Sequence, residues 1–168
     1  MGDTKTTASF PTPDHDHGRC IARTLERAEA TFETKGLRLT PLRRRVLEEI
    51  AGSHHAVGAY DVLDRLARKG GRRLAPISVY RVIDVLLEAG VVHRLESRNA
   101  FFACHTPHAG DKRQIVLACE QCSLVAEVPG EAVFDSIAKA ALAASFLPSR
   151  SMVEIAGTCK SCAAAIAA

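Results

Sequence analysis

The feature that most constrains this chain is a pair of Cys-x-x-Cys sequences, Cys119–Cys122 and Cys159–Cys162. A two-residue spacer lets both sulfurs of a pair reach one metal ion, and two such pairs complete a tetrahedral set of four thiolates. Zinc favours this set because it accepts soft sulfur ligands and has no ligand-field preference for another geometry. The four cysteines therefore predict a closed, structural zinc site whose binding energy contributes to folding.

The alternative for these cysteines is a redox-active dithiol or a disulfide. The chain begins with Met-Gly-Asp rather than with the basic and then apolar leader of a secreted protein, so we expect a cytoplasmic protein without a disulfide framework. We also expect neither pair to open a helix of a βαβ unit, which is the thioredoxin context. A thiol redox enzyme is therefore the weaker alternative.

The length and composition of the chain exclude several classes of protein. The 168 residues fit one domain or two small ones, and a hydrophobic fraction of 47% is ordinary for globular proteins. No apolar run approaches the roughly 20 residues of a membrane helix, so we expect no membrane association. The chain contains no nucleophile–base constellation and no phosphate-binding glycine loop, so we expect neither an enzyme nor a small-molecule substrate.

The positive charge is concentrated in one part of the chain. The net charge of +3 conceals a segment, residues 35–81, with 11 basic and 4 acidic residues, whereas residues 105–168 have 5 basic and 6 acidic ones. A basic part joined to a nearly neutral part suggests a nucleic-acid-binding domain followed by a domain of another kind. An ordinary solvated surface with a surplus of basic residues explains the charge equally well.

The N-terminal part of the chain predicts a polar tail and a run of helices. Residues 1–18 contain almost no aliphatic side chains, so we expect a mobile tail there. Helical spacing of apolar residues, with Thr40 as an N-cap, predicts four helices over about 19–35, 41–52, 59–69 and 76–90. We expect Tyr60 to face inward in the third helix. The buried stripe of the fourth helix leaves Tyr80 and Arg81 on its opposite face.

Two short β-like stretches follow the helices, Val91–Leu95 and Ala100–Cys104, and residues 96–99 join them as a hairpin. Helices followed by a two-stranded hairpin are typical of a winged helix-turn-helix domain, which we assign to residues 19–103. A small α+β domain without a role in DNA binding is the alternative.

After a connector at residues 104–112 the pattern changes. Strands are predicted at Gln114–Ala118, Leu124–Val128 and Met152–Ala156. A helix is predicted from Gly130 to about Ala144, with Val133 and Ile137 on its inner side. Residues 113–168 therefore predict a small α/β domain in the order β-β-α-β, and the whole chain belongs to the α+β class.

A second set of metal-binding residue types has mixed ligands. It consists of His93, Cys104, His105, His108 and Glu127. Hairpin pairing can bring His93 near Cys104, whereas Glu127 comes from the C-terminal domain, so a site of these residues would bridge the two domains. Imidazole, thiolate and carboxylate together suit zinc better than calcium or magnesium. Ordinary loop histidines and an unreactive buried thiol are an equally good interpretation of the residues alone.

Several motifs, taken in their order and spacing, resemble the ferric uptake regulator family. They are Arg38-Leu-Thr-Pro41, Ala59-Tyr-Asp-Val-Leu63, Ser78-Val-Tyr-Arg81 and Leu86-Leu-Glu-Ala-Gly90. The two cysteine pairs stand where that family often has its structural zinc. The segments His93–Ser97 and Asn99–Cys104 are more specifically similar to the zinc-sensing members. The resemblance covers about residues 20–163.

The resemblance implies a homodimeric, metal-dependent transcriptional repressor that binds inverted-repeat, A·T-rich operators in double-stranded DNA. The helix with Tyr80 and Arg81 matches the recognition helix, and the C-terminal domain matches the dimerisation domain. Tyrosine packs on a thymine methyl group and arginine reaches a guanine edge or a phosphate. Ser78, Arg43 and Arg44 are further candidates for phosphate contacts, with an ordinary solvated surface as the alternative for the two arginines.

The resemblance also implies a regulatory zinc site with ligands that match His93, Cys104, a connector histidine and Glu127. We favour His108 as that histidine, with His105 as its substitute, because adjacent Cys104 and His105 would have to strain to bind one ion. The chain lacks the His-rich run that iron-sensing members carry before the first Cys-x-x-Cys.

We therefore expect about two zinc ions per subunit and a zinc-responsive repressor of zinc-uptake genes. A regulator of the same family that senses iron or another metal is one alternative. A zinc-stabilised interaction module without DNA binding is another.

Overall fold

A computed structural model describes Phe10 and residues 16–69, 74–104 and 113–166 of the chain. The chain divides between His105 and Thr106 into two compact units. Most of the expected tail and the connector from residue 105 to 112 lie outside the described residues. None of the helices in the described parts is both long and apolar enough to cross a lipid bilayer.

The first unit contains four helices and a two-stranded hairpin. They are α1 (His17–Thr34), α2 (Pro41–Ala51), α3 (Ala59–Arg68), α4 (Pro76–Ala89), β1 (Val92–Leu95) and β2 (Ala100–Ala103). α1 begins two residues earlier than expected because the Asp16 side chain accepts a hydrogen bond from the Arg19 amide, 3.2 Å away, and caps the helix. Thr40 caps α2 as predicted, and Gly90, with φ of +78°, ends α4 in the left-handed conformation that glycine adopts most readily.

The core of the first unit lies between the helices, where an apolar face of each helix meets the others. Phe32, Leu47, Ile50, Ile83 and Leu86 are among its most completely buried side chains. The expected stripe of α4 is therefore confirmed. The prediction that Tyr60 faces inward is wrong, because Ala59, Val62 and Leu66 form the buried face of α3 and leave Tyr60 64% exposed.

The hairpin is antiparallel, and His93 on β1 pairs with Phe102 on β2. A short 3₁₀ turn, Glu96–Arg98, joins the two strands, and Asn99 completes it with a positive φ of 48°. Val57, just before α3, exchanges two backbone hydrogen bonds with Phe101, each 2.8 Å long. The hairpin is thereby joined to the segment that leads into α3, which gives the predicted winged helix-turn-helix arrangement.

The second unit contains a three-stranded sheet and two helices. They are β3 (Gln114–Cys119), β4 (Val125–Pro129), α5 (Glu131–Ala143), β5 (Val153–Gly157) and α6 (Lys160–Ile166). The strand order is β4-β3-β5, with β3 antiparallel to β4 and parallel to β5. The predicted order β-β-α-β and the α+β class are confirmed, and the short α6 follows them without having been predicted.

The inner face of α5 differs from the prediction. Phe134 is its one buried side chain among the described residues, whereas Val133 is 41% exposed. Phe134 lies against the position of Gly130, where an added Cβ would come within 3.2 Å of its ring and 2.6 Å of Ile115. The large aromatic side chain, rather than the valine beside it, therefore determines which face of α5 packs on the sheet.

We predict that Ile83→Ala lowers the free energy of unfolding of the first unit by about 2–5 kcal/mol, because the fully buried side chain would leave a cavity. Ile77→Ala is the matched control, since Ile77 lies on the same helix and is 58% exposed. Urea unfolding followed by circular dichroism measures both variants. Equal losses of stability in the two variants would contradict the burial of Ile83 in the core of the first unit.

Candidate metal centres and nucleic-acid interface

The four predicted zinc-binding cysteines lie at one edge of the three-stranded sheet. Cys119 is the last residue of β3, and Cys122 lies in the turn that leads to β4. Cys159 lies between β5 and α6, and Cys162 is in the first turn of α6. β3 and β5 run parallel and Cys119 pairs with Gly157, so the ends of the two strands lie side by side. This pairing brings the two cysteine pairs together although about 40 residues separate them.

The distances between the sulfurs fit one tetrahedral ion. All four Sγ atoms lie within 4.8 Å of one another, and Cys122 Sγ is 3.8 Å from Cys159 Sγ. Zn–S bonds of about 2.3 Å in a tetrahedron require sulfurs about 3.8 Å apart. The donor set therefore fits zinc in number, chemistry and spacing.

Burial and backbone amides set the ionisation of these thiols. Burial raises the pKa of Cys119, but hydrogen bonds from the backbone amides of Cys159, Cys122 and Gln121 outweigh burial and lower that pKa to about 6. The Cys159 amide donates to Cys119 Sγ over 3.4 Å. Burial also raises the pKa of Cys122. Hydrogen bonding with the Cys159 and Cys122 thiols raises the pKa of Cys162 to about 12. The cluster thus accommodates one thiolate readily, and further thiolates require a compensating cation.

The second cysteine pair lies at the start of a helix, since α6 begins at Lys160. No strand follows α6 among the described residues, so the pair does not open the helix of a βαβ unit there, as expected. The sulfurs of this pair nevertheless converge on those of Cys119 and Cys122, and all six cysteines of the chain are free thiols. Four converging thiols favour a metal site over an isolated dithiol.

The mixed-ligand residues of the first unit meet at the base of the hairpin. His93 lies on β1 and Cys104 directly follows β2, and their ligand atoms are within 4.8 Å of each other. The Cys104 amide donates to the Val91 carbonyl over 3.1 Å, and the side chain is 8% exposed. The His93 ring packs on Phe102 with 5.6 Å between centroids. Hairpin pairing therefore provides two of the expected regulatory ligands.

The other expected regulatory ligands are described in part. Glu127 lies on β4 of the second unit, half-buried and paired with Val116 of β3. His105 and His108 lie outside the described residues.

The candidate recognition helix, α4, presents both predicted residues on its outer side. Arg81 is exposed, and Tyr80 is half-buried against the core of the first unit. Ser78 lies in the first turn of α4, half-buried. The Tyr60 ring of α3 packs edge-on against Tyr80, with 6.4 Å between centroids and 82° between planes.

Tyr60 therefore joins this surface, a position that the sequence analysis missed. The signal was available in α3, because Ala59, Val62 and Leu66 form a complete buried stripe that excludes it.

The two arginines of α2 have partners within the first unit. Arg44 pairs with Glu29 of α1 and, over 3.3 Å, with Glu48. The Arg43 guanidinium donates to the Arg38 carbonyl over 2.6 Å and lies over the Phe32 ring, 5.9 Å from its centroid. These contacts give both arginines a structural role in joining α2 to its neighbours.

Comparisons with known proteins identify relatives of this chain. The sequence pattern of the ferric uptake regulator family matches residues 34–155. The zinc uptake regulation protein of Escherichia coli (strain K12) is 34% identical over 138 residues, which cover 82% of this chain and 80% of that protein.

Two solved structures are similar over most of the chain. A zinc uptake regulator complexed with zinc and DNA has a TM-score of 0.79 and 32% identity, and the match covers 88% of this chain and 98% of that one. Holo XcZur has a TM-score of 0.75 and 37% identity, with coverage of 86% and 99%. The resemblance seen in the sequence motifs is thus confirmed, and the chain belongs to the ferric uptake regulator family.

Proposed function

We propose that this protein is a zinc-responsive transcriptional repressor that binds inverted-repeat, A·T-rich operators of zinc-uptake genes as a homodimer in the cytoplasm. The observation that carries this proposal is the position of Cys104 beside His93 at the base of the hairpin. A thiolate and an imidazole in one site select zinc over the harder metals that oxygen ligands favour. The similar regulator solved with zinc and DNA supports the same function.

The four converging cysteines would hold one structural zinc ion in each subunit. A closed set of four thiolates has no open position for chemistry, so its role is to stabilise the second unit. That unit has a small core, in which Phe134 is the largest buried side chain among the described residues. Small domains commonly need such a metal because their apolar burial is limited.

A second zinc ion would occupy the regulatory site. His93 and Cys104 supply two ligands, and a protein-bound zinc ion ordinarily takes four. We assign the remaining positions to Glu127 and to a connector histidine, His108 or, as its substitute, His105. Because these ligands come from both units, they are together in only some arrangements of the units, and filling the site increases the population of those arrangements.

The regulatory ligands are closely connected to the recognition helix within the first unit. β1 begins three residues after α4 ends, so His93 is linked to that helix through a short turn. β2 is joined through Phe101 to Val57, which lies two residues before the start of α3. The hairpin is therefore linked to both α3 and α4, and a constraint on His93 and Cys104 would also constrain α4.

The outer side of α4 would enter the major groove. Arg81 is exposed there and can reach a guanine edge, while Tyr80 and Tyr60 present aromatic edges to thymine methyl groups. Ser78, in the first turn, is in the position from which helix N-termini contact phosphates. In a dimer, two such helices must be about 34 Å apart to meet successive half-sites.

The second unit has an exposed apolar surface that supports its assignment as the dimerisation domain. Large apolar side chains on it are exposed by 38% to 81%: Val133, Leu142, Phe146, Leu147, Met152, Ile155 and Ile166. So many exposed large apolar side chains on a small unit are consistent with an interaction surface. A second copy of the chain would bury it.

We predict that zinc, rather than iron(II) or manganese(II), drives binding to an A·T-rich inverted-repeat duplex, and that Cys104→Ser abolishes this zinc dependence while leaving a folded dimer. The substitution removes the thiolate of the regulatory site and keeps the four-cysteine cluster. A fluorescence-anisotropy titration of the duplex measures binding, with Cys20→Ser as the control. A Cys104→Ser variant that binds like the wild type at low zinc would contradict the assignment.

We predict that Cys119→Ser removes one of about two zinc ions per chain and unfolds the second unit, because three thiolates leave the structural site incomplete. Metal analysis and limited proteolysis of residues 113–166 measure the two effects. Cys20→Ser again serves as the control, since Cys20 lies on α1 of the first unit. Full zinc content with a folded second unit would overturn the structural site.

We predict that Arg81→Ala weakens specific operator binding by about 1–3 kcal/mol through loss of a base or phosphate contact. Lys139→Ala removes the same charge from α5 of the second unit, where Lys139 is exposed, and should leave binding nearly unchanged. Titrations at two salt concentrations separate specific from general electrostatic binding. Equal effects of both variants, or no salt-dependent binding at all, would favour an interaction module without DNA binding.

A further inference from the structure

We propose that Arg27 of α1 is a positioning residue for the regulatory metal site and that it sets the metal affinity of this site by fixing the backbone of Cys104. The inference rests on the proposed function of Cys104 as a metal ligand. It concerns a residue outside the ligand set and on a different element from the hairpin.

The guanidinium of Arg27 joins α1 to the end of the hairpin. Its Nη2 atom donates to the Cys104 carbonyl over 2.8 Å, a contact between residues 77 positions apart. The same nitrogen lies 3.4 Å from Thr24 Oγ1, and Nε donates to the Arg23 carbonyl over 3.3 Å. Contacts within α1 therefore orient the planar guanidinium, and in this orientation it donates to the Cys104 carbonyl at the end of the hairpin.

α1 is a rigid base for this contact. Thr24, Leu25 and Ala28, which flank Arg27 on the inner side of the helix, are 2%, 7% and 0% exposed. A helix packed this closely does not shift without disturbing the core. The position of the Arg27 guanidinium is consequently tied to the packing of the whole first unit.

Cys104 lies at the end of the hairpin, where strand pairing no longer fixes its backbone. The ladder between β1 and β2 ends at Ala103, which pairs with Val92, so Cys104 lies just beyond the last strand pair. Its amide donates to the Val91 carbonyl and its carbonyl accepts from Arg27, so both backbone polar groups are anchored. This arrangement limits rotation of the residue about its backbone and holds Sγ within 4.8 Å of a His93 nitrogen. Pre-organised ligands bind more tightly because less ordering remains to be done on binding.

The test is a metal-affinity measurement on the full chain. Cobalt(II) and zinc are competed against a chelator of known affinity for the wild type, Arg27→Gln, Arg27→Lys and the control Arg23→Gln. Arg23 lies one turn away on α1 and is exposed, and only its backbone carbonyl contacts Arg27. Loss of a group that orients a metal ligand typically costs about 10–100-fold in affinity.

We expect Arg27→Gln to weaken the second metal equivalent by about 10-fold or more, with the structural site unchanged. Arg27→Lys should fall between Arg27→Gln and the wild type, because it retains a donor without the planar fork. Arg23→Gln should match the wild type. The thiolate-to-cobalt charge-transfer band of the second equivalent should persist in Arg27→Gln, since Cys104 still binds, and should disappear in Cys104→Ser.

Two results would overturn the proposal. In one, Arg27→Gln binds the second equivalent as tightly as the wild type. In the other, Arg27→Gln and Arg27→Lys reduce the free energy of unfolding of the metal-free first unit by as much as they reduce the free energy of metal binding. That result would indicate a structural role alone. If the wild type instead shows no second equivalent that depends on Cys104, the regulatory site itself fails, so the two failures are distinguishable.

Discussion

The parallel pairing of β3 with β5 is the constraint on which the second unit depends. It places the ends of two strands next to each other, and each strand end leads into a Cys-x-x-Cys sequence. The resulting four sulfurs crowd together within 4.8 Å, where mutual repulsion and burial oppose the formation of several thiolates. A bound dication would remove that cost, so the proposed zinc ion would stabilise the sheet edge that brings its ligands together.

In the first unit the hairpin combines two roles. Its base carries His93 and Cys104, and its edge is bonded to the segment before α3, one helix away from the candidate recognition helix. If the proposed metal binds there, its effect would be transmitted to the helices, because closely packed elements resist deformation. Arg27 adds a link from α1 to the base of the hairpin, through its hydrogen bond to the Cys104 carbonyl.

Much of the fold could be predicted from the sequence, because the signals are local. Capping by Thr40, the apolar stripe of α4 and the left-handed stop at Gly90 depend on neighbours within one or two helical turns. Two buried helix faces were predicted incorrectly, because in each helix the local sequence allowed two neighbouring faces to be the buried one. Tyr60 lies next to the true buried stripe of α3, and Val133 lies next to Phe134, so packing against another element decided each case.

The sequence by itself determined which ligand types the chain offers, namely four cysteines in two pairs and a histidine and a cysteine on a predicted hairpin. It also determined the order of helices and strands. Both follow from residue type and short-range spacing. Only the tertiary structure decided which distant groups meet. Arg44 pairs with Glu29, Tyr60 packs on Tyr80 and Arg27 binds the Cys104 carbonyl. These contacts join residues on different elements, and their geometry follows from how whole faces pack, which no local pattern along the chain records.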